Sequence, residues 1–400
     1  MARVNPYNAV IYHNVCHMIE KTDDIKRNIQ YVVNKLKGIG GTPDFPGMLG
    51  GPELPLKLVV LPESFATGFV SDFLNLDHLE AYNDYYNTTI PGPETDMLAE
   101  AAVYTGAYIM GIMQAKDPEL MEDRWFNTGF IINPEGKVIY KKHKTSFFFR
   151  ERATAPTDIW DRYIEKYGDD PKALMDAIYP VAKTDIGNLA VTICGEAEKP
   201  EVFRALAMNG AEVVSRCTYL PGNYEQFELQ NRAHAYFNNM YVIAANGPIV
   251  YPPGETTPLP METIGHIVDY RGRVVTRTQY PAPAETMTYA TINVEELRYA
   301  RFHSLAYFWV PQLRIEEYIL PYQHALNVGG LYPKNLAMDE PPMGQRPHDD
   351  LLRWCINRAA ELGIWTPPDG WEPYKIPQEI LDKIENAKAR SAPMSNIQKP

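Results

Sequence analysis

Apolar and polar positions follow two different periods along the first three quarters of the chain, and these periods predict alternating strands and helices. In residues 21–36 the apolar side chains recur every three or four positions, which predicts an amphipathic helix. Residues 56–61 form an unbroken apolar run, which is typical of a strand buried on both faces. Further strands are predicted at residues 10–12, 108–114, 189–193, 212–215 and 241–245, and further helices at residues 94–104, 201–209 and 225–239.

Strand pairs replace this alternation in two places. Residues 125–141 contain two strand-like runs around a Pro-Glu-Gly turn, which is a hairpin signal. Residues 263–269 and 274–279 flank a second turn, and residues 288–294 form a last strand-like run. A chain that combines strand–helix alternation with hairpins predicts an α/β fold with mixed sheets in a layered sandwich.

Two segments depart from this pattern. Residues 150–183 are rich in charges, aromatic side chains and prolines, and we interpret about 153–183 as an insertion. Residues 301–400 are rich in Pro, Tyr and Trp and show weak periodicity. We therefore expect one main domain over residues 1–300, followed by a C-terminal extension over residues 301–400 that wraps its own subunit or forms an interface.

Composition excludes several classes of protein. The formal net charge of −12 disfavours nucleic acid as a partner, because such proteins cluster Lys and Arg. We find no apolar run of about 18 residues and no leader-like N-terminus, so a membrane span and secretion are not expected. The four cysteines and nine histidines are widely scattered, which argues against a disulfide framework and a metal site. A cytoplasmic protein without a metal or other cofactor is the expectation.

Three predicted strands end in polar residues. Glu63 follows the run at 56–61, Lys142 follows the hairpin strand that ends at Tyr140, and Cys194 follows the run at 189–193. Polar residues just after such strands are candidates for a site, because strand ends line the crevice in many α/β folds. Taken singly, each has a structural explanation as a capping acid, a solvated lysine or a small core thiol.

Together, an acid, a base and a thiol suffice for acyl transfer. A thiol with a pKa of about 8.5 is mostly protonated at neutral pH and needs a base or a nearby cation to become a nucleophile. A carboxylate such as Glu63 takes that proton and returns it to a leaving nitrogen. An ammonium such as that of Lys142 stabilises the oxyanion, together with backbone N–H groups at the turn after Cys194.

The same residues carry a resemblance to a known family. The strand ending in Pro62-Glu63, the Tyr140-Lys141-Lys142 motif and Cys194 followed by Pro200-Glu201 resemble the motifs of the nitrilase superfamily of carbon–nitrogen hydrolases. The order of the three residues is the family order. The stretch CGEAEKPEVFRALAMNGAEVVSRC, positions 194–217, is most similar to the aliphatic amidase and formamidase branch.

The resemblance implies a fold, an assembly and residue roles. It implies a four-layer αββα sandwich whose members pair into homodimers or higher homo-oligomers. Cys194 would be the nucleophile, and Glu63 the general base and then the general acid. Lys142 would stabilise the tetrahedral intermediate, with the backbone N–H of Gly195 as a second donor. Glu151 is the candidate for a second glutamate that orients the site. The alternative for Glu151, a surface acid paired with the neighbouring arginines, stays open.

The resemblance leaves the substrate open between several small molecules. Gly195-Glu196 stands where nitrilases usually have Trp-Glu, and no arginine follows the cysteine as it does in N-carbamoyl amino acid hydrolases. These departures favour a carboxamide, with release of ammonia or an amine through a thioester. A nitrile, an N-carbamoyl compound or a carbamate remains an alternative on the same three residues. A non-catalytic regulatory member of the fold is disfavoured because all three are present.

Aromatic residues near these positions are the candidates for a substrate pocket. Phe65 lies just past Glu63, Phe147 follows the lysine strand, and Tyr219 follows Arg216-Cys217. The insertion adds further aromatic residues, which either pack among themselves as the base of a lid or accommodate a bulky acyl group: Trp160, Tyr163, Tyr167 and Tyr179.

Overall fold

The computed structural model describes residues 3–42, 45–46, 54–147, 151–219, 224–259, 263–278, 284–304, 308–327, 331–338 and 345–390. The strands in chain order are β1 (Tyr7–His13), β2 (Val15–His17), β3 (Gly41–Thr42), β4 (Phe45–Pro46), β5 (Leu56–Glu63), β6 (Tyr108–Lys116), β7 (Trp125–Ile132), β8 (Val138–His143), β9 (Ala182–Thr184), β10 (Gly187–Ile193), β11 (Val213–Thr218), β12 (Tyr241–Asn246), β13 (Ile249–Tyr251), β14 (Ile264–Val268), β15 (Val274–Arg277) and β16 (Thr286–Ile292).

The helices in chain order are α1 (Asp24–Gly40), α2 (Val70–Phe73), α3 (His78–Glu80), α4 (Pro93–Thr105), α5 (Trp160–Tyr167), α6 (Pro171–Ile178), α7 (Pro200–Met208), α8 (Tyr224–Asn238), α9 (Val294–His303), α10 (Ile315–Tyr318), α11 (Leu320–Asn327), α12 (Gln345–Glu361) and α13 (Gln378–Arg390). A 3₁₀ turn at Cys194–Glu198 connects β10 to α7. The described helices include none that is both long and apolar enough to span a membrane.

Two six-stranded mixed sheets form the centre of the molecule. Their strand orders are β16-β1-β5-β6-β7-β8 and β15-β14-β12-β11-β10-β9. The pairs β1–β5, β5–β6, β10–β11 and β11–β12 are parallel, and the remaining neighbours are antiparallel. Parallel neighbours need a crossover connection, and helices α1, α4, α7 and α8 supply the crossovers.

The core lies in layers, as the sequence predicts. Ile11 and Leu58 of the first sheet share one apolar cluster with Val191 and Val213 of the second, so the sheets pack face to face. Another cluster fills the space between the first sheet and helices α1 and α4. Phe227 of α8 packs on the outer side of the second sheet with Ala244 and Ile264. The predicted αββα sandwich is therefore confirmed.

The C-terminal segment is more regular than its weak periodicity predicts. It contains α10 to α13, and α12 packs against α13 through Leu351, Ile380 and Ile384. Helix α10 buries no side chain, and α12 and α13 bury only the few apolar residues of their mutual contact, which explains why the pattern of apolar residues is faint.

The segment around Asn335 docks on its own chain at the start of the insertion. The backbone N–H of Asn335 donates to the carbonyl of Thr157 at 2.8 Å, and that of Ala337 donates to the carbonyl of Asp158 at 3.0 Å. The buried guanidinium of Arg124 donates from Nε and Nη2 to the carbonyl of Ala337 at 3.1 and 2.9 Å. Several aromatic residues of the insertion pack in a cluster of their own with this segment: Tyr163, with Trp160, Tyr167 and Tyr179 at its border.

We expect Asp158 to lower the stability of the fold at neutral pH. Burial raises the pKa of Asp158 to about 6, although the N–H of Ala155 opposes this shift. The folded state holds the Asp158 proton more tightly than the unfolded state does. The stability that this proton contributes is therefore fully present below about pH 4 and is lost as the pH rises through 6. Asp158→Asn should therefore raise the free energy of unfolding by about 1–3 kcal/mol at pH 8, and by little near pH 4.

Thermal unfolding of wild type and Asp158→Asn between pH 5 and pH 8 measures this difference. Asp369→Asn, at an exposed position of the C-terminal segment, is the control and should change nothing with pH. A difference between wild type and Asp158→Asn that stays constant across this pH range would contradict the prediction.

Candidate active site

The polar strand ends meet between the two sheets. Glu63 is the last residue of β5, Asn127 lies in the middle of β7, and Lys144 comes directly after β8. The backbone N–H of Lys144 donates to the carbonyl of Asn127 at 2.9 Å, which extends the pairing of these two strands by one residue. Cys194 opens the 3₁₀ turn after β10 of the second sheet. Both sheets therefore contribute groups to one buried site.

One ammonium and one amide hold two carboxylates at this site. Lys144 Nζ donates to Glu63 Oε1 at 3.0 Å and also to Glu151 Oε2. Asn127 Nδ2 donates to Glu63 Oε1 at 2.7 Å and to Glu151 Oε1 at 2.8 Å. All four side chains are buried. The alternative of a surface acid at Glu151 is therefore wrong, because this carboxylate turns inward to Lys144.

The second oxygen of Glu63 is available for proton transfer. Glu63 Oε2 is buried, and no hydrogen-bond partner for it lies within the described ranges of the chain. A buried carboxylate oxygen without a donor is costly in a folded protein unless a ligand or a reacting group uses it. The geometry therefore leaves one lone-pair site of Glu63 free to accept a proton.

Electrostatics keeps Lys144 charged. Burial alone lowers the pKa of Lys144, but the Glu151 and Glu63 carboxylates outweigh this effect and raise it well above the ordinary value. Burial raises the pKa of Glu151, with Lys144 opposing this shift and Glu63 adding to it. The cluster thus presents a permanent positive charge beside a carboxyl that holds a proton more readily than usual.

Cys194 occupies a strained turn. Its φ of +47° lies in the left-handed region, which a residue with a Cβ rarely adopts, and such strain is frequent at functional sites. Burial and the Glu63 carboxylate raise the pKa of its thiol to about 12, although Lys144 and the backbone N–H of Tyr219 oppose the shift. The thiol is therefore protonated at neutral pH, and it needs a base to become a nucleophile.

The structure revises the choice of lysine. Lys142 Nζ donates to Glu196 Oε1 at 2.5 Å, whereas Lys144 lies against Glu63. Side chains two positions apart in an extended segment point to the same face, so the sequence motif alone does not distinguish Lys142 from Lys144. Lys144, and not Lys142, is therefore the lysine whose ammonium contacts Glu63.

The pocket candidates lie in different surroundings. Phe65 is fully buried on the helix side of the first sheet, 6.4 Å between ring centroids from Phe130, and this placement argues against a role in a substrate pocket. Tyr219 stacks on Phe69 with ring centroids 4.4 Å apart. Gly195 is buried in the turn next to the nucleophile, and its carbonyl accepts a hydrogen bond from Lys199 Nζ at 3.1 Å.

Phe147 borders a small cavity next to Glu151. The cavity has a volume of about 20 Å³, which is room for about one water molecule. Tyr332, Leu336 and His348 of the C-terminal segment form its opposite wall. The extension of the chain therefore closes the surroundings of Glu151 on one side.

Sequence reasoning missed two members of the cluster. Lys144 lies two positions beyond Lys142 in the basic run Lys141-Lys142-His143-Lys144. Asn127 is a polar residue inside the apolar strand WFNTGF, and such an interruption of a buried strand is a signal that could have identified it. A search for metal sites over the described residues finds no group of three or more His, Cys, Asp or Glu side chains that could hold an ion.

The chain matches a known protein family over most of its length. Residues 21–302 match the model of the carbon–nitrogen hydrolase family. A formamidase from Bacillus cereus (strain B4264) is 32% identical over 232 residues, which are 57% of this chain and 58% of the relative. A formamidase from Bacillus anthracis (strain CDC 684 / NRRL 3495) is 29% identical over 231 residues, with the same coverage of 57% and 58%. The chain thus spans a little more than half the length of the curated relatives it matches.

Solved structures share the fold at low sequence identity. A carbon–nitrogen hydrolase from Helicobacter pylori G27 superimposes with a TM-score of 0.55 at 16% identity, over 78% of this chain and 97% of that one. Saccharomyces cerevisiae Nit3, a member of branch 10 of the nitrilase superfamily, gives 0.52 at 19% identity, over 76% and 95%. An amidase from Nesterenkonia sp. gives 0.51 at 14% identity, over 79% and 97%. Because the family model covers more than half of the chain, the protein belongs to the carbon–nitrogen hydrolase family of the nitrilase superfamily.

Proposed function

We propose that the protein hydrolyses a small carboxamide and releases ammonia or an amine through a thioester on Cys194. The observation that carries this proposal is the buried cluster in which Glu63, with one free oxygen, and a charged Lys144 act on the Cys194 thiol. The names of the relatives and the neighbouring amidase structure support the same class of reaction.

The first half-reaction forms the thioester. Glu63 takes the thiol proton on its free oxygen as the Cys194 sulfur attacks the carbonyl carbon of the amide. The oxyanion that develops on the carbonyl oxygen is stabilised by the Lys144 ammonium and by the backbone N–H of Gly195. When the tetrahedral intermediate collapses, the C–N bond breaks, and Glu63 gives its proton to the leaving nitrogen.

The second half-reaction consumes one water molecule. Glu63, again a carboxylate, takes a proton from water as the water oxygen attacks the thioester carbon. The same donors stabilise the second oxyanion, and its collapse breaks the C–S bond. The sulfur recovers its proton from Glu63, and the acid product leaves. Glu151 and Asn127 take no part in bond changes; their hydrogen bonds hold Lys144 and Glu63 in place.

The enclosure of the site favours a short acyl group. Cys194 is only 4% exposed, and Glu63 is fully buried. The cavity beside Glu151 is small, and the aromatic side chains of the insertion pack among themselves. Formamide and short aliphatic amides fit such a site better than aryl amides do.

A panel assayed for ammonia release tests the function. We expect turnover of formamide or acetamide to exceed that of benzamide, simple nitriles and N-carbamoyl amino acids by at least about tenfold in kcat/KM. One missing or extra methylene in a substrate alone changes the ratio of kcat/KM between two substrates about 10- to 200-fold. Faster turnover of nitriles or of N-carbamoyl compounds would contradict the carboxamide proposal and would identify that compound class as the substrate. Inert protein across the whole panel would point to a non-catalytic member of the fold.

We also propose that two copies of the chain pair through helices α7 and α8. Met208 of α7 and Leu229 and Phe237 of α8 are exposed by 51%, 66% and 55%, respectively, on two helices that contact each other. Exposed apolar patches of this kind mark interaction surfaces. The extension over residues 301–400 would then serve the subunit and its interface rather than form a second catalytic domain.

Light scattering tests the assembly. The chain has a mass of 45.5 kDa, and we expect a multiple of this value for the wild type at micromolar concentration. Leu229→Glu should shift the mass toward a single chain, because it buries a charge at the interface. Val103→Glu is the matched control, because Val103 is 54% exposed on the opposite outer layer, and this variant should keep the mass of the wild type. A wild type that remains at 45.5 kDa would contradict the proposal.

A further inference from the structure

A second buried ion pair lies next to the catalytic cluster, and the proposed reaction does not use it. Lys142 Nζ and Glu196 Oε1 are 2.5 Å apart, and both side chains are fully buried. Removing two charges from water costs free energy that their attraction often fails to recover. Such a pair is therefore weak evidence for stability, and its position in the site calls for another explanation.

Glu196 connects the two segments that carry the reacting groups. Its Oε1 also accepts hydrogen bonds from the backbone N–H and the hydroxyl of Thr145, both at 2.7 Å. Its Oε2 accepts a hydrogen bond from the backbone N–H of Ile193 at 2.9 Å. Lys144 lies between Lys142 and Thr145 in the chain, so this carboxylate holds the residues on both sides of the proposed catalytic lysine.

The same carboxylate fixes the nucleophile turn. Ile193 and Glu196 are the residues on either side of Cys194-Gly195, and the hydrogen bond between them closes the turn in which Cys194 has its left-handed backbone. A residue in such a strained conformation keeps it only when its surroundings determine it more than once. The hydrogen bond from Arg216 Nε to the Cys194 carbonyl is long, at 3.4 Å, so Glu196 supplies the shorter restraint.

We propose that Lys142 and Glu196 form a positioning pair that sets the Lys144 ammonium at the correct distance from the Cys194 thiol. The inference rests on the proposed function, because it assigns these residues a task within that reaction. Glu196, two positions after Cys194, holds the turn and the lysine segment in place and does not contact the substrate. Lys142 acts through Glu196 and does not touch the substrate.

Kinetics of Lys142→Met, Glu196→Gln and the double variant tests the pair. We expect kcat on the best amide of the panel to fall about 100-fold in each single variant, since misplacing a reacting group by about 1 Å costs this much. KM should stay within about threefold, because neither residue binds the substrate. The double variant should be no slower than the slower single variant, because residues that act as a unit are not additive. Lys137→Met, at an exposed position of the same hairpin, is the control.

All rates are measured at least 15 °C below the Tm of each variant, so that a loss of stability does not count as a loss of positioning. Variants with a lowered Tm and a kcat within twofold of wild type would show that the pair only stabilises the fold. Independent, additive losses would also overturn the proposal. If a single variant fails to fold because one buried charge is unpaired, the double variant leaves no unpaired charge and decides the question alone.

A chemical readout separates this inference from the proposed function. The rate of alkylation of Cys194 by iodoacetamide, followed by mass spectrometry, should fall about tenfold in the double variant while Cys355 labels unchanged. If the wild type turns over no amide, the function fails, and this rate still tests the pair. Equal labelling of Cys194 in the wild type and in the double variant would overturn the positioning role.

Discussion

Cys194→Ala is expected to reduce amide hydrolysis at least about 10⁴-fold, to a rate near background. The variant removes the only atom that forms a bond to the substrate in the proposed mechanism, and losses of nucleophiles in related acyl-transfer chemistry reach this size. Steady-state ammonia release from the best amide of the panel measures the effect. Binding of the amide should persist, because the polar cluster that faces the substrate remains in place.

The matched control is Cys217→Ala. Cys217 lies beside Ile193 in the neighbouring strand and is also buried, so this variant removes a thiol of similar surroundings without touching the nucleophile. Wild-type protein quenched with acid during turnover should carry one acyl group on Cys194 and none on Cys217. A Cys194→Ala variant that retains more than about one per cent of the activity would refute the thioester mechanism.

Lys144→Met should reduce kcat at least about 10³-fold. Removing one donor to an oxyanion typically costs 10²- to 10³-fold, and this change also removes the cation that holds both Glu63 and Glu151. The Glu63 carboxylate already raises the pKa of Glu151, and without the Lys144 ammonium this pKa should rise further. The Tm of the variant should therefore be lowest at high pH and should recover as the pH is lowered.

Comparison with Lys142→Met decides between the two lysines. Both variants should have a lowered kcat, but the loss in Lys142→Met should be about tenfold smaller than that in Lys144→Met. Adding Glu196→Gln should lower kcat further in Lys144→Met and should not lower it further in Lys142→Met. Lys137→Met on the same hairpin should behave as the wild type. If Lys142→Met were the slower of the two, the motif-based assignment of Lys142 to the oxyanion would stand, and Lys144 would be the supporting residue.

The fold was largely predictable because it depends on patterns that are local in the chain. The apolar run at 56–61 and the runs at 189–193 and 241–245 are strands in the parallel parts of the two mixed sheets, and their burial on both faces leaves a continuous apolar signature. The helical period of residues 21–36 is equally local, although the helix itself spans Asp24–Gly40. The sequence did not predict the helices after residue 310, because they bury few apolar side chains and α10 buries none.

The sequence by itself determined the family, the layered fold and the strand end on which the candidate thiol stands, because motif order and apolar periodicity are written along one chain. Only the tertiary structure decided which neighbours meet. Lys142 and Lys144 lie two positions apart at the end of β8. Glu196, from the turn after β10 of the second sheet, pairs with Lys142, whereas Glu63 of the first sheet and Glu151, which follows β8, pair with Lys144. Asn127 likewise joins two carboxylates that lie 64 and 24 residues away in the chain. Distances across packed sheets, which no local pattern encodes, therefore selected the members of the site.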